Sequence, residues 1–512
     1  MQDHYLERIL QARVYDVAIE TPLDPAPRLS RRLDNRVLFK REDLQPVFSF
    51  KIRGAYNKIA QLSPESAAQG VICASAGNHA QGVALAARTR GIPARIVMPQ
   101  NTPDIKVRAV ADLGAEIVLF GEDYDQACEH AYALARERGL IFVHPFDDPD
   151  VIAGQGTVAM EILRQQHGDG IDAIFVPVGG GGLIAGIAAY VKSLYPQIKI
   201  IGVEPEDAAS MYESLRAGER ITLDRVGAFA DGVAVKRVGA ETFRLAQAYV
   251  DEMILVTTDQ ICAAIQDIFE ETRAIAEPAG ALAVAGIKKY VARERCCGRL
   301  FVAINCGANM NFDRLRYVAE RADLGAQREL LLAVEIPEKP GSFLTFCELL
   351  GRRSVTEFNY RYADSRAAQV FVGLGLTGGT PERDSIIATI DRAGFAVRDM
   401  TDNEMAKLHV RYMVGGPARG LDDEHLYRFE FPERPGALLK FLRAVGSGWN
   451  ISLFHYRNHG SDYGRVLAGI QIPAATHADF RSHLNELHYA FVEETDNPAY
   501  HMFLGGEAPR SG

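Results

Sequence analysis

The chain has 512 residues, of which 47% are hydrophobic and 24% charged, and its formal net charge is −10. This length exceeds what one hydrophobic core supports and predicts several domains, while the ordinary composition excludes a low-complexity or fibrous chain. The negative charge argues against nucleic acid or an anionic membrane as a partner, because no basic face dominates.

The N-terminal segment, up to about Leu23, mixes charges of both signs with apolar residues. It has neither the apolar region of a secretory signal nor the arginine-rich character of a transit peptide. No stretch of the sequence approaches the roughly 20 apolar residues of a membrane helix. The seven cysteines are scattered, without disulfide or metal-ligand spacing. We therefore expect a cytoplasmic protein with no membrane partner and no metal site.

From about residue 36 to 320, short β-rich runs alternate with longer helical patterns. Strands are predicted at Val71–Ala74, Arg95–Met98, Glu116–Phe120, Ile174–Val178 and Lys199–Val203. Helices are predicted to begin at Asn78, Asp104 and Tyr124. Such alternation is typical of an α/β domain with a mainly parallel sheet and helices on both faces.

The first segment suited to chemistry is SFKIRGA, residues 49–55, at the start of a predicted helix. Most lysines are solvated surface charges, but Lys51 lies between the apolar residues Phe50 and Ile52. Apolar surroundings lower the pKa of an amine, and a neutral amine can form a Schiff base with an aldehyde. Lys51 is therefore a candidate nucleophile.

The second segment, SAGNHAQG at residues 75–82, follows the strand Val71–Ala74 directly. A small polar turn that leads into a helix presents free backbone N–H groups, which suits a carboxylate. The alternative is ordinary capping of the helix by Ser75 or Asn78. The pattern alone does not decide between these two interpretations.

The third segment is GGGGL, from Gly179 to Leu183, between a predicted strand and a helix. Consecutive glycines allow successive N–H groups to converge on one phosphate at a helix N-terminus. The segment is neither a Walker A loop nor a dinucleotide-binding fingerprint. A flexible turn is the alternative, but flexibility alone does not require a position between strand and helix.

The fourth segment is NCGAN, from Asn305 to Asn309, after the predicted strand Leu300–Ile304. Ligands bind at the carboxyl ends of strands in sheets of this kind, which makes Cys306 a candidate site residue. Without the other three segments, a buried structural cysteine would be the preferred interpretation.

Beyond about Gly325 the sequence contains an internal repeat. LAVEIPEKPG at 332–341 matches YRFEFPERPG at 427–436, and SVTEFNY at 354–360 matches NISLFHY at 450–456. Apolar residues alternate in both predicted strands, and the helices that follow repeat at i, i+3, i+4, i+7. These faces are Phe343, Phe346, Cys347 and Leu350 in one copy and Leu438, Phe441, Leu442 and Val445 in the other. The repeat predicts two related α+β modules, each with its own small core.

The four segments together resemble the pyridoxal-phosphate enzymes of the tryptophan-synthase β group, also called fold type II. Within that group they resemble the serine/threonine dehydratases, and the whole chain, repeat included, resembles the biosynthetic threonine deaminase family. The resemblance implies a catalytic α/β domain at residues 1–322 and two ACT-like regulatory modules at 326–418 and 419–512. It also implies pyridoxal phosphate as cofactor and a homotetramer.

The resemblance assigns roles to the residues of the four segments. Lys51 corresponds to the lysine that forms the Schiff base and removes the α-proton, and Phe50 packs on the cofactor ring. Asn78 corresponds to the side chain that binds the ring hydroxyl. The phosphate is held by Gly179, Gly180, Gly181, Gly182 and Leu183. Ser75, Gly77, Asn78 and His79 belong to the loop that binds the substrate carboxylate.

Cys306 corresponds to the residue beside the pyridine nitrogen. A neutral thiol does not keep that nitrogen protonated as an aspartate does, which favours expulsion of a β-leaving group. The implied reaction converts L-threonine to 2-oxobutanoate and ammonia, the first step of isoleucine biosynthesis. Similar serine racemases have a serine at the position of Ala76, so racemisation is disfavoured. A cation site of the family would involve Glu204 and Ala208, but Ser210 replaces the acid of divalent-binding relatives, and we predict no metal.

By resemblance the repeated modules bind isoleucine as an inhibitor and valine as a countering ligand. Equivalent residues of the two copies are candidates for the effector sites: Tyr360, Arg361, Tyr456 and Arg457. Tyrosine would supply apolar contact and arginine would pair with a carboxylate. The alternative is that both tyrosines are core residues and both arginines are solvated.

Three other functions fit parts of the sequence. One is a broad-specificity dehydratase whose main substrate is serine, since one methyl group changes discrimination by only about 1–3 kcal/mol. Another is an amino-acid sensor with a vestigial catalytic domain, although Lys51, the glycines and Cys306 are all present. The last is a β-replacement synthase, which the doubled module and the Ser75–His79 loop make less suitable.

Overall fold

The computed structural model describes residues 4–166, 170–339, 341–351, 353–362, 367–413, 415, 418, 421, 423–432, 439, 441–443, 449–457, 463–486, 490–498, 500 and 504. The side chains at 408, 430–432, 457, 463–465 and 485–486 lie outside this description. The chain divides into two compact units, Met1–Gly325 and Ala326–Gly512. Among the described residues, no helix has both the length and the apolar character needed to cross a membrane.

The first unit is built from strands that alternate with helices. Its strands are β1 (Leu23–Pro25), β2 (Arg36–Arg41), β3 (Val71–Ala74), β4 (Ala94–Met98), β5 (Glu116–Leu119), β6 (Ile141–Phe142), β7 (Ala173–Pro177), β8 (Lys199–Pro205), β9 (Glu252–Val256) and β10 (Leu300–Asn305). Its helices are α1 (Tyr5–Leu10), α2 (Pro27–Leu33), α3 (Lys51–Ala60), α4 (Pro64–Gln69), α5 (Asn78–Arg90), α6 (Asp104–Ala111), α7 (Tyr124–Arg138), α8 (Pro149–Gln165), α9 (Gly182–Leu194), α10 (Ser210–Ala217), α11 (Ala240–Tyr249), α12 (Thr258–Thr272), α13 (Pro278–Glu294) and α14 (Arg314–Gly325).

These strands form two sheets. The larger has the order β1-β2-β10-β7-β8-β9, and all of its pairs are parallel except β1 with β2. The smaller has the order β5-β4-β3-β6 and is parallel throughout. Every residue of β7 and β10 is buried, as expected for parallel strands covered on both faces by helices. The α/β prediction for this region is confirmed.

The elements that carry the candidate site begin where the sequence predicts. Helices α5, α6 and α7 begin at Asn78, Asp104 and Tyr124, and β3 has the predicted bounds. Strands β4, β5, β7 and β8 differ from prediction by one or two residues at their ends, where hydrogen-bond criteria and side-chain patterns commonly disagree. The loops after β3, β7 and β10 therefore follow strand carboxyl ends.

The second unit contains one antiparallel sheet that joins the two repeats. Its strands are β11 (Glu329–Pro337), β12 (Val355–Arg361), β13 (Ala367–Gly375), β14 (Ala396–Asp399), β15 (Glu424–Pro432), β16 (Asn450–Arg457), β17 (Tyr463–Gln471) and β18 (Ala490–Glu493). Its order is β14-β11-β13-β12-β16-β17-β15-β18. The helices whose bounds are described are α15 (Ser342–Leu350), α16 (Gly379–Arg392), α17 (Glu404–Leu408) and α18 (His477–Glu486), and residues 439 and 441–443 are also helical.

The expectation of a separate small core in each module is wrong. Strand β12 pairs with β16, so that Phe358 lies opposite Tyr456 and Tyr360 opposite Phe454. This pairing places the helix-covered faces of both repeats side by side, and their buried side chains form one continuous cluster. The predicted face of α15 is buried, as are Phe441 and Leu442 of the second copy. Leu438 and Val445 lie outside the described residues.

Candidate active site

Lys51 is the first residue of α3, and its side chain is partly buried. Its Nζ donates a hydrogen bond to the carbonyl oxygen of Pro145 at 2.9 Å and lies 5.3 Å from the centre of the Phe50 ring. Burial lowers the pKa of the Lys51 amine to about 8, and Cys306 and Glu277 partly oppose this shift. A substantial fraction of the amine is therefore neutral near physiological pH, as a nucleophile or a base requires.

The segment before Lys51 is hydrogen-bonded to the segment around Cys306. The Phe50 N–H donates to the Cys306 carbonyl at 3.2 Å, and the Ala308 N–H donates to the Phe48 carbonyl at 2.9 Å. Ser49 and Gly307 form an antiparallel bridge between these contacts. The structure thus brings the first and fourth predicted segments together at the carboxyl end of β10.

The loop between β3 and α5 contains the predicted carboxylate-binding residues. The Ser75 Oγ accepts a hydrogen bond from the Gly77 N–H at 3.3 Å, which holds the turn. A Cβ placed on Gly77 would have no neighbour within 4 Å, so this face of the loop is open. The backbone N–H groups of the first turn of α5 have no partner inside the helix and can bind an anion.

The His79 side chain points away from this loop. Its Nε2 donates a hydrogen bond to the Val143 carbonyl at 2.8 Å, and the side chain is buried. Burial, with a smaller effect from Lys51, lowers the pKa of His79 to about 3, so the imidazole is neutral at physiological pH. His79 can therefore contribute its backbone N–H to the loop, while its side chain fixes the loop on the neighbouring strand segment.

The glycines between β7 and α9 are closely covered by the protein. A Cβ on Gly180 would lie 2.2 Å from the Phe146 ring, and one on Gly179 would lie 2.9 Å from the Val233 Cα. Gly181 has a φ of 94°, which L side chains rarely adopt. Side chains are thus excluded here by packing and by backbone conformation.

The same segment suits a phosphate group. None of the N–H groups from Gly179 to Leu183 donates a hydrogen bond to another described residue. These donors lie at the N-terminus of α9, where the helix dipole also favours an anion. The glycine segment therefore fits the phosphate of the cofactor that the sequence predicts.

Cys306 directly follows β10 and is 3% exposed. Burial raises the pKa of its thiol well above the ordinary value, and the nearby Glu277 adds to the shift. The thiol is therefore neutral. A neutral group at this position agrees with the role that the sequence predicts for it.

Glu277 is a site residue that the sequence did not reveal. Its Oε1 accepts a hydrogen bond from the Asn78 Nδ2 at 2.7 Å, and the Asn309 Nδ2 donates to the Asn78 Oδ1 at 2.6 Å. Asn78 is thus held from both ends, with one amide hydrogen left for a ligand. Burial, with the negative charge of Asp231, raises the pKa of Glu277 to about 8. Glu277 therefore carries a proton over most of the neutral range.

The sequence offers only a weak signal for Glu277. It precedes Pro278 at the start of an apolar helix, where an acid usually interacts with the helix dipole. Its partner Asn78 is 199 residues away. A related signal is Gly307, where a Cβ would lie 2.6 Å from the Glu277 Oε1, so the glycine leaves room for the carboxyl group.

Glu204 caps a helix. Its Oε1 accepts the Met211 N–H at 2.9 Å, and its Oε2 accepts the Tyr212 N–H at 2.8 Å, both at the start of α10. Burial raises the pKa of Glu204 to about 8. The Ser210 Oγ is buried without a hydrogen-bond partner. The two acceptor oxygens are therefore already used within the protein.

The predicted effector residues occupy different environments. Tyr360 is buried, and its hydroxyl donates to the Glu338 carboxylate at 2.7 Å. Tyr456 is 1% exposed and belongs to the core of the second unit. Arg361 is paired with Glu424, so it is not simply solvated, and the side chain of Arg457 lies outside the described residues. Tyr360 lines a pocket of the second unit.

Two family models match the chain and divide it at nearly the same place as the structure. Residues 14–307 match the model described as pyridoxal-phosphate dependent enzyme. Residues 320–410 and 415–504 match the model described as the C-terminal regulatory domain of threonine dehydratase.

Curated relatives are similar over nearly the whole chain. The biosynthetic L-threonine dehydratase IlvA of Burkholderia multivorans is 57% identical over 98% of this chain and 99% of its own length. That of Escherichia coli is 56% identical over 98% of this chain and 97% of its own length. The biosynthetic chloroplastic threonine dehydratase of Arabidopsis thaliana is 53% identical over 98% of this chain and 84% of its own length.

Solved structures are similar to part of the chain. The processed form of threonine deaminase isoform 2 from Solanum lycopersicum is 52% identical, with a TM-score of 0.62 over 63% of this chain and 88% of that chain. Maize serine racemase is 33% identical, with a TM-score of 0.58 over 61% of this chain and 96% of that chain.

Proposed function

The chain belongs to the biosynthetic threonine dehydratases, a family of pyridoxal-phosphate dependent enzymes, and from this we propose that it converts L-threonine to 2-oxobutanoate and ammonia. The resemblance drawn from the four segments and the repeat is thereby confirmed. The observation that carries the proposal is the grouping of site residues around Glu277, which accepts a hydrogen bond from Asn78 and lies within electrostatic range of Lys51 and Cys306. The reaction would be the first step of isoleucine biosynthesis.

Pyridoxal phosphate is the cofactor, and the chain has the groups to hold it. Gly179 to Leu183 would hold the phosphate through backbone N–H groups, and Phe50 would pack against the ring. Asn78, fixed by Glu277 and Asn309, would direct its remaining amide hydrogen to the ring hydroxyl. Cys306 would lie at the ring nitrogen as a neutral thiol. When bound, the cofactor withdraws electrons from the α-carbon of the attached amino acid.

The residues around the substrate would perform binding and proton transfer. The loop from Ser75 to His79 would orient the substrate carboxylate through its N–H groups. Lys51, as a neutral amine, would accept the α-proton at Nζ. Glu277 would keep its own proton and hold the Asn78 amide in place. The β-hydroxyl group would take up a proton and leave as water, and the released enamine would take up water to give 2-oxobutanoate and ammonia.

The test is production of the 2-oxo acid by the purified holoenzyme. We expect 2-oxobutanoate from L-threonine at a higher kcat/KM than pyruvate from L-serine. Since the two substrates differ by one methyl group, the preference should be roughly 10–200-fold. A higher kcat/KM for serine would contradict the proposed substrate and leave the elimination chemistry intact.

The regulatory unit supports binding of an amino-acid effector. One pocket of this unit is lined from the first repeat by Glu338, Lys339 and Tyr360, and from the second by Leu442 and Trp449. An acidic and a basic side chain can pair with the ammonium and carboxylate of an amino acid, and the apolar residues suit an aliphatic side chain. We propose isoleucine as the inhibitor that binds here, with valine as the countering ligand.

Effector binding can be separated from catalysis. Tyr360→Phe removes the hydroxyl that bonds Glu338, and Lys339→Ala removes the exposed cation, so both should raise the isoleucine concentration for half-inhibition. Threonine kinetics without isoleucine should stay unchanged. Tyr456→Ala tests the second predicted position, and unchanged inhibition and isoleucine binding in Tyr360→Ala and Tyr456→Ala would contradict the tyrosine assignments.

The remaining parts of the proposal concern assembly and location. We propose a homotetramer in the cytoplasm, in keeping with the family. Light scattering on the holoenzyme gives the subunit number, and a mass of one or two chains would contradict the tetramer. Fractionation of cells that produce the native chain tests the location.

A further inference from the structure

Three potential metal ligands converge in the second repeat of the regulatory unit. His425, His477 and Glu493 each offer a ligand atom, and these atoms all lie within 4.8 Å of one another. The His425 Nδ1 is 3.4 Å from the Glu493 Oε1, and the two imidazole rings have centres 4.8 Å apart. None of the three residues belongs to the proposed catalytic or effector sites.

The sheet and one helix bring these side chains together. His425 is on β15 and Glu493 on β18, and the register places Glu493 opposite Tyr427. Since residues two apart on a strand share a face, His425 and Glu493 project from the same face of the sheet. Helix α18 covers that face through the contact of Phe480 with Tyr427, and His477 is the first residue of α18.

The chemistry of the ligands selects a class of metal. Two imidazoles and one carboxylate suit Zn²⁺ and related transition-metal ions, whereas Mg²⁺ and Ca²⁺ prefer oxygen ligands. Ligands about 2.0–2.2 Å from a tetrahedral zinc ion lie roughly 3.3–3.5 Å apart, which the His425–Glu493 pair already satisfies. The His477 ligand atom lies within 4.8 Å of the other two and would have to move closer to them when an ion binds.

We propose that His425, His477 and Glu493 form a site for a Zn²⁺-class ion that pins α18 to the edge of the regulatory sheet. Strand β18 is the terminal strand beyond β15, so the ion would join an edge strand, its neighbour and the covering helix. Three ligands leave a coordination position for water. Two features weaken the affinity, namely the positive end of the α18 dipole and Arg481 one turn further along that helix.

The test uses full-length holoenzyme without a polyhistidine tag, stripped by a chelator and titrated calorimetrically with ZnCl₂. We expect one equivalent of Zn²⁺ that is lost in the His425→Ala/His477→Ala double variant. Each single variant, including Glu493→Gln, should bind more than about tenfold more weakly. Zn²⁺ should also raise the melting temperature of the wild-type protein, because it binds the folded state.

Matched controls separate this site from incidental binding. His483→Ala removes another histidine of α18 outside the cluster and should bind Zn²⁺ as the wild type does. Glu493 is exposed, so Glu493→Gln tests the site even if a histidine variant fails to fold. Co²⁺ should give the intense visible absorption of a tetrahedral site in the wild type and in His483→Ala, and this absorption should be missing from the His425→Ala/His477→Ala double variant. Equal Zn²⁺ stoichiometry in the wild type and the folded double variant, or Glu493→Gln binding with wild-type affinity, would overturn the proposal.

Discussion

At the scale of single residues, burial sets the protonation state of each group in the candidate active site. It lowers the pKa of Lys51 to about 8 and raises that of Glu277 to about 8, while the Cys306 thiol stays neutral. These shifts place an amine that can lose its proton beside an acid that retains one. At neutral pH the Lys51 amine would therefore accept the α-proton, while Glu277 keeps its own proton and holds the Asn78 amide in place.

The first prediction concerns the amine of Lys51. In the cofactor-free chain, the rate constant for covalent attachment of pyridoxal phosphate should rise about tenfold per pH unit below pH 8 and level off above it. The reason is that only the neutral amine attacks the aldehyde, and its fraction grows as the pH approaches the pKa. Stopped-flow absorbance measures the rate. Lys51→Ala should show no covalent attachment and should lose at least about 10³-fold in kcat.

The second prediction concerns the proton of Glu277. Glutamine mimics the protonated acid, so Glu277→Gln should keep kcat within a few-fold of the wild type near neutral pH. In the wild type, ionisation of Glu277 above about pH 8 should lower kcat, and this alkaline decline should be absent from the variant. Glu277→Ala, which also removes the support of Asn78, should lower kcat and cofactor affinity together. An identical alkaline decline in Glu277→Gln and wild type would assign it to another group.

At the scale of elements, buried ion pairs hold helix α3, which carries Lys51, in place. Arg53 of α3 is fully buried and pairs with Glu42 at 2.7 Å and with Glu161 at 2.6 Å. Lys40 also pairs with Glu161 at 2.6 Å. The network anchors α3 against β2 and α8. It therefore fixes the position of Lys51, the first residue of α3.

Removal of Arg53 should destabilise the catalytic unit strongly. Arg53→Met leaves Glu42 and Glu161 buried with reduced compensation, which should cost about 3–5 kcal/mol of unfolding free energy. Arg13→Met is the matched control, because Arg13 pairs with Asp16 at the surface, and it should change stability by less than about 1 kcal/mol. Denaturant unfolding followed by circular dichroism measures both. Equal effects of the two substitutions would refute this account of the network.

The glycine segment at the start of α9 gives another prediction at this scale. In Gly180→Ala the new Cβ would collide with the Phe146 ring, so the segment should shift and bind the cofactor phosphate more weakly. A second substitution, Phe146→Ala, removes the ring and should restore part of the affinity in the double variant. Fluorescence titration of the stripped enzyme with pyridoxal phosphate measures the affinity. A double variant no better than Gly180→Ala would show that the collision is not the cause.

At the scale of the whole molecule, the chain consists of a catalytic unit and a regulatory unit, each with its own core. The regulatory unit is a single sheet, because β12 and β16 join the repeats edge to edge. Arg361 of the first repeat pairs with Glu424 of the second, and both side chains are largely buried. The two repeats should therefore unfold together.

Breaking this pair should lower the stability of the regulatory unit as a whole. Arg361→Ala leaves Glu424 buried without its cation and should cost about 3–5 kcal/mol. Arg443→Ala is the control, because Arg443 pairs with Glu348 of the other repeat at the surface. This substitution should lower the free energy of unfolding by less than about 1 kcal/mol. Calorimetry should show one transition shifted by Arg361→Ala and the catalytic transition unchanged. Separate transitions for the two repeats would contradict the single-sheet interpretation.

The sequence by itself determined the class of fold, the catalytic segments and the duplication. Strand and helix periodicity, glycine runs and turn residues act over a few neighbouring positions, so the bounds of β3 and the starts of α5, α6 and α7 could be predicted. The order of four short segments was specific enough to indicate the family. The repeat was visible because equivalent residues of the two copies occupy equivalent buried positions.

The tertiary structure alone decided which distant groups meet. Glu277 accepts a hydrogen bond from Asn78, which is 199 residues away in the sequence, and Arg361 pairs with Glu424, which is 63 residues away. The Phe146 ring that excludes a side chain at Gly180, and the joint core of the two repeats, also depend on packing between separate elements. Local sequence patterns carry no information about such partners. A glutamate before a helix has the same sequence neighbours whether it caps the helix at the surface or is buried against a distant side chain.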